Sequence, residues 1–291
     1  ELFGSAQAEW LDRVRDDLES YRAALTWLIE RGRPAEAANM AWGLMYFWVI
    51  RGHATEGLQW YEQVLDLPSL PPVPESRALV GAAMMWYSLG ELARTPAGLA
   101  RALALAHDAG DQEMVAQAEH LLGHVEHAIG NVASARARFM RSVEGFRALA
   151  MPWGVGNSLN GMAKVALTIG NVAEAEALLD EAASVLRHSC PWFLALVSFR
   201  RATVAVQRGD PDEAVRWARE SLTLFRQLND KFAIVYALAP LAAAALLMGD
   251  DLWTARILGA RDAVTDRTGA TVVDKWLHEL GAQAEREVSA R

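Results

Sequence analysis

A glycine, a short polar run and then an alanine return along this chain at nearly constant spacing, and this period limits the possible folds more than any other feature. The string reads Gly130-Asn131-Val132-Ala133-Ser134-Ala135 and again Gly170-Asn171-Val172-Ala173-Glu174-Ala175. Looser copies begin at Gly209 and Gly249, and Gly52 and Gly90 stand in the same register, so successive glycines are 38, 40, 40, 39 and 40 residues apart. Self-similarity on this scale marks stacked repeats, each burying its apolar face against the next.

Each unit reads as a helical hairpin. An apolar stretch such as 114–129 or 192–207 precedes the glycine. An amphipathic one such as 172–186 follows, with Ala175, Leu178, Leu179 and Ala182 at helical spacing. The glycine supplies a left-handed residue that ends the first helix, and Asp or Pro just after it starts the second. Seven residues before the glycine stand Ala83, Gly123, Ala163, Ala202 and Ala242; twelve after it stand Ala102, Ser142, Ala182 and Ser221. Small side chains at fixed heights let the two helices approach closely. The proline-rich stretch 65–75 is the loop between two units. No strand pattern interrupts the series, and the expected fold is an all-α solenoid.

Composition narrows the function. Asp and Glu outnumber Lys and Arg 36 to 28, a net charge of −8 with no basic block, which argues against nucleic acid binding through this segment. A single cysteine, Cys190, excludes an internal disulfide framework and a multi-thiolate metal site, and fits a reducing cytoplasm. The longest apolar run, 232–248, is largely alanine and reads as a buried helix rather than a membrane span. No signal peptide opens the chain, and its first residue, Glu1, suggests a piece of something longer. A phosphate-cradling loop needs Gly-Lys-Ser/Thr, yet the only lysines, Lys164, Lys231 and Lys275, do not follow glycine. Neither a Gly-x-Ser-x-Gly elbow nor a His-Glu-x-x-His motif occurs. No catalytic residue and no cofactor are expected.

The turn glycine and the small positions resemble those of the tetratricopeptide repeat from about Gly32 to about Gly269, with roughly 40 residues per unit instead of 34. That resemblance implies a right-handed superhelical solenoid of antiparallel helix pairs. The longer unit is similar to the sensor region of large bacterial regulators. The run Asp16-Asp17-Leu18-Glu19-Ser20-Tyr21-Arg22-Ala23-Ala24-Leu25-Thr26-Trp27-Leu28 is followed by Phe47-Trp48-Val49-Ile50-Arg51-Gly52-His53 and Glu56-Gly57-Leu58-Gln59-Trp60. These resemble the helical segment after the nucleotide-binding module of STAND-type ATPase regulators, including those with a LuxR-type helix-turn-helix. The tail, Ala255-Arg256-Ile257-Leu258-Gly259-Ala260-Arg261-Asp262-Ala263, resembles their last unit. The implied organisation is a helical lead-in over 1–31, repeats over 32–269 and a capping helix over 270–291, in one continuous solenoid. The implied function is a cytoplasmic, non-catalytic sensor or interaction domain that takes a partner protein, peptide or small inducer, with any ATPase or DNA-binding activity outside this chain. A free-standing scaffold is the alternative. An uncapped end can also pair with a second copy.

In that family the groove-facing positions lie about thirteen, ten, six and three residues before the turn glycine. Here they select Asn39, Trp42 and Tyr46; Arg77, Met84 and Tyr87; Gln117, His120, His124 and His127; Asn157, Asn160 and Lys164; and Phe199 and Tyr236, with Arg200 beside Phe199. Asn157, Asn160 and Lys164, with Arg200 on the next unit, either hold a carboxylate or a peptide backbone or are ordinary surface amides beside a single charge. His120, His124 and His127 share one helical face and form either a hydrogen-bonding patch, a set of packing histidines or, less favoured, a zinc site with Glu126. Most of the tryptophans, Trp27 among them, read as packing residues. Trp42, and Trp153 and Trp192 in loops beside Pro152 and Pro191, are the ones placed to meet a ligand.

Overall fold

The computed structural model describes residues 3–187, 189–268, 282–283 and 285–287, and among these all regular structure is helical. Two compact units divide the chain, one of residues 8–158 and the other of residues 1–7 together with 159–291. The first unit holds α1 (Gln7–Asp16) apart from Gln7 itself, then α2 (Leu18–Glu30), α3 (Pro34–Arg51), α4 (Ala54–Leu65), α5 (Pro72–Ser88), α6 (Thr95–Ala109), α7 (Gln112–Ala128), α8 (Val132–Ala148) and the start of α9 (Pro152–Thr168). The second holds the rest of α9, then α10 (Val172–Leu186), α11 (Pro191–Arg208), α12 (Pro211–Gln227), α13 (Ile234–Leu247) and α14 (Asp251–Thr268). The expected C-terminal cap, 270–291, lies almost wholly outside the described residues.

Within each hairpin the turn is built as its sequence demands. Gly52, Gly90, Gly130, Gly170, Gly209 and Gly249 all have φ between 73° and 89°, a conformation that L side chains rarely adopt. At Gly130 the glycine N–H donates to the His127 carbonyl (3.0 Å) and the Asn131 N–H to the Glu126 carbonyl (2.8 Å), which satisfies the helix's last free carbonyls. The next residue then opens the second helix: Asn171 Oδ1 accepts the Glu174 N–H (3.3 Å) and Asp210 Oδ1 the Glu213 N–H (3.0 Å).

The connections between hairpins also turn on one left-handed residue, but they hide it. Ser69, Gly110, Ala150, Cys190 and Asn229 have φ of 61°, 70°, 53°, 51° and 51°. Only one of the five is glycine, and each of the others bears a cost on the order of 1 kcal/mol. The backbone repeats here as regularly as at the glycine turns.

Close packing of the helices explains the small residues. Ala83, Gly123, Ala163, Ala202 and Ala242 are buried, as are Ala102, Ser142, Ala182 and Ser221. A Cβ on Gly123 would stand 2.8 Å from the Phe139 ring. The two serines in this set do more than leave room: Ser142 Oγ donates to the Ala116 carbonyl and Ser221 Oγ to the Ala195 carbonyl, both at 2.8 Å. In the first unit Arg22 of α2 grips Glu56 of α4 through two bonds of 2.7 and 2.6 Å.

Three tryptophans depart from expectation. Trp27 is 47% exposed, with the guanidinium groups of Arg31 and Arg33 within 6 Å of its ring, rather than buried in packing. Trp153 and Trp192 occupy the first turns of α9 and α11, not loops, because Pro152 and Pro191 start those helices.

Candidate functional site

The lining residues of the first unit come from α3, α5, α7 and the start of α9. They form a buried layer beneath a half-buried rim. At the centre of the layer is His120, 2% exposed, with both ring nitrogens engaged. Its Nδ1 lies 3.1 Å from Ser158 Oγ and its Nε2 2.9 Å from Asn157 Nδ2; Ser158 Oγ lies 2.9 Å from Ser142 Oγ, which donates to the Ala116 carbonyl.

A carbonyl only accepts, so the proton order along this chain is fixed. Ser142 gives its proton to Ala116, Ser158 gives its own to Ser142, and Ser158 therefore accepts from His120 Nδ1–H. Nε2, left bare, accepts from the Asn157 amide. That order requires a neutral imidazole, and burial pushes the His120 pKa down to about 4. Geometry and desolvation give the same answer.

The rim above this layer is aromatic and basic. Tyr87 Oη stands 3.5 Å from His124 Nδ1, and the His124 ring packs edge-on to His120 (4.8 Å) and Phe139 (5.0 Å). Arg77 donates to Asn39 Oδ1 at 2.7 Å and lies 3.9 Å from Asp111 Oδ2. Glu113, in the first turn of the helix that Asp111 caps, has its carboxyl pKa raised by burial first and then by Asp111, with Arg77 opposing. Gln117 is buried, and among the described residues its Nε2 has no hydrogen-bond partner. Tyr46 of α3 meets Trp153 of α9 edge-on at 6.2 Å, and Trp153 packs on Phe146 at 5.2 Å.

The second unit carries the remaining residues. Asn160 and Lys164, one turn apart on α9, are both buried, and the Asn160 Oδ1 has no hydrogen-bond partner among the described residues. Phe199 packs against Tyr236 at 5.7 Å, with the Arg200 guanidinium 4.5 Å from the Phe199 ring.

Of the sixteen residues expected to line a binding surface, Tyr46, Gln117, His120, Asn157, Asn160, Lys164, Phe199 and Arg200 are buried; Trp42, Arg77, Met84, Tyr87, His124, His127 and Tyr236 are half-buried, and Asn39 is exposed. Sequence reasoning missed Ser142 and Ser158 as members of the polar layer. The available signal was Ser142 itself, a hydroxyl where two sister units carry Ala102 and Ala182. The zinc alternative meets a physical obstacle, since both nitrogens of His120 are already bonded. Among the described residues no three His, Cys, Asp or Glu side chains are placed to hold a metal ion.

No family model matches the chain. Over 115 residues it is 30% identical to HTH-type transcriptional regulators, so named, of Mycobacterium tuberculosis and Mycobacterium bovis; the match spans 36% of this chain and only 13% of theirs. Among solved structures, a STAND protein with a tetratricopeptide repeat sensor from Pyrococcus horikoshii aligns over 98% of this chain and 46% of its own length, at a TM-score of 0.61 and 14% identity. The fold is that of the tetratricopeptide-repeat proteins. A Rap protein complexed with the competence and sporulation factor aligns over 86% of this chain and 76% of its own, at 0.61 and 11% identity. The Cut9–Hcn1 assembly of the APC/C aligns over 91% and 46%, at 0.64 and 14% identity. Tetratricopeptide-like packing thus accounts for the paired helices, the turn glycines and the buried small positions. No described helix is long and apolar enough to cross a membrane.

Proposed function

We propose that this chain is a recognition module without catalytic chemistry of its own, the sensor arm of a STAND-type, LuxR-like bacterial transcriptional regulator. It works in the cytoplasm and takes a protein, a peptide or a small inducer on the lining face of its first helices. Binding changes how the arm packs on an ATPase module elsewhere in the regulator. The observation that carries this reading is the polar layer of α7 and α9 under the rim of Arg77, Tyr87 and His124. Burying four polar side chains is expensive unless each finds a partner, and helix stacking does not require them. Support for the regulator comes from the mycobacterial relatives and from the likeness to a STAND protein's sensor.

The binding half of the proposal is tested by panning a displayed peptide library on the chain, with counter-selection on the Arg77→Ala, Tyr87→Ala, His124→Ala variant. Peptides retained by the parent and lost by the variant are the expected result; equal enrichment on both removes the rim from the site. The regulator half is tested by reading the gene upstream of Glu1. A phosphate-binding loop there is expected, and a gene without one leaves a free-standing scaffold.

A further inference from the structure

Helix α11 begins without a cap of its own. Its preceding residue, Cys190, is left-handed (φ 51°), and its side chain caps nothing in the helix. The missing acceptor comes from 185 residues away, where Gln7 Oε1 accepts the Trp192 N–H at 2.9 Å. Gln7 is buried. The same segment supplies two further contacts: the Cys190 thiol donates to the Phe3 carbonyl at 2.8 Å, and the Phe3 ring stacks on Phe193 at 6.3 Å with 19° between planes.

The receiving surface is held from below. Trp192 Nε1 donates to Asp230 Oδ2 at 2.7 Å, and Asp230 Oδ1 accepts the Phe232 and Ala233 N–H groups at 3.0 and 2.8 Å. An aromatic ledge, a thiol donor and the Trp192 N–H are thus fixed in place by the fold. Chain residues occupy them by three separate kinds of contact.

We propose that the N-terminal end of α11, with Cys190, Trp192 and Phe193, is a docking site for a short segment presenting an aromatic ring and, four positions on, an amide or carboxylate. Phe3 and Gln7 fill it in cis, and an outside segment with the same pattern binds by displacing them. A carboxylate in place of the Gln7 amide suits the site, because the helix end favours negative charge.

Cys190 is the chain's only cysteine and is fully buried, so its reaction with Ellman's reagent reports on the occupant. Burial also pushes its thiol pKa up to about 12, and uncovering it restores thiolate as well as access. In the full chain, the Phe3→Ala, Gln7→Ala variant is expected to label about tenfold faster at a nearly unchanged melting temperature, a local opening. Gln7→Glu keeps the parent rate or slows it. A synthetic peptide of residues 1–12 added to the double variant slows labelling saturably, whereas the same peptide with alanine at positions 3 and 7 does not. Labelling of the double variant at the parent rate overturns the proposal, and so does equal protection by the two peptides. Should the double variant fail to fold, Gln7→Ala alone supports both comparisons. None of these outcomes touches Arg77, Tyr87 or His124, so the rim proposal stands or falls separately.

Discussion

Helices α7 and α13 hold the same place in their repeats and fill it in opposite ways. In α7 the lining positions are Gln117, His120, His124 and His127; in α13 they are Tyr236, Ala239, Ala243 and Leu246. The α13 sequence, IVYALAPLAAAALL, is hydrocarbon apart from the Tyr236 hydroxyl, and it even carries Pro240 in its interior, which withdraws the N–H that would bond to the Tyr236 carbonyl. Alanine and leucine are therefore enough to stack one helix pair on another in this fold. The polar layer of α7 answers to some other demand, and recognition is the one we propose.

The contrast can be broken most forcefully at His120. His120→Leu fills the space but strands the Asn157 amide and the Ser158 hydroxyl, and a loss of about 3 to 4 kcal/mol in unfolding free energy is expected by denaturant titration. A loss below about 1 kcal/mol would mean that the layer tolerates apolar filling as α13 does.

The second test uses pH. The His120 pKa is lowered in the folded state, so the unfolded chain binds more protons below its ordinary value of 6.5. Stability is full above pH 6.5 and falls as the pH drops towards 4. The expected loss between pH 6.5 and 5 is about 2 kcal/mol. His120→Gln, which cannot titrate, should flatten that slope.

Smaller effects separate rim from layer. Arg77→Ala or Tyr87→Ala should weaken a selected peptide about tenfold, or about 1.4 kcal/mol, while the melting temperature barely moves. A large fall in melting temperature without loss of affinity would make the rim structural.

The smallest changes are expected at the turns, and with opposite signs. Gly130→Ala should cost about 1 kcal/mol because its φ of 89° suits only glycine, whereas Ala150→Gly should gain about 0.5 kcal/mol by relieving a strained alanine. Thermal melts of the two variants check both.

How much of this could be read from residues alone follows from where the constraint lies. The glycine turns and small positions were legible because only glycine accepts their backbone and only a small side chain fits their spacing. The turns at Ser69, Ala150, Cys190 and Asn229 were not, since ordinary residues bear the strain there and leave no mark. Histidine, asparagine and serine signal polarity but not whether they satisfy one another, so the sequence leaves a groove-facing patch and a set of packing histidines both open around His120. Trp153 and Trp192 could have been placed correctly, because a proline commonly takes the first position of a helix. Gln7 could not, as nothing local pairs it with a helix 185 residues away.

The fixed proton order around His120 has one more consequence. From Asn157 to the Ala116 carbonyl the bonds run head to tail, a short wire of aligned dipoles in a medium of low polarisability. Each donor draws electron density from the acceptor that follows it. The Asn157 amide, giving up its hydrogen at one end, gains basicity at its own oxygen, which makes that oxygen a stronger acceptor than a solvated asparagine offers.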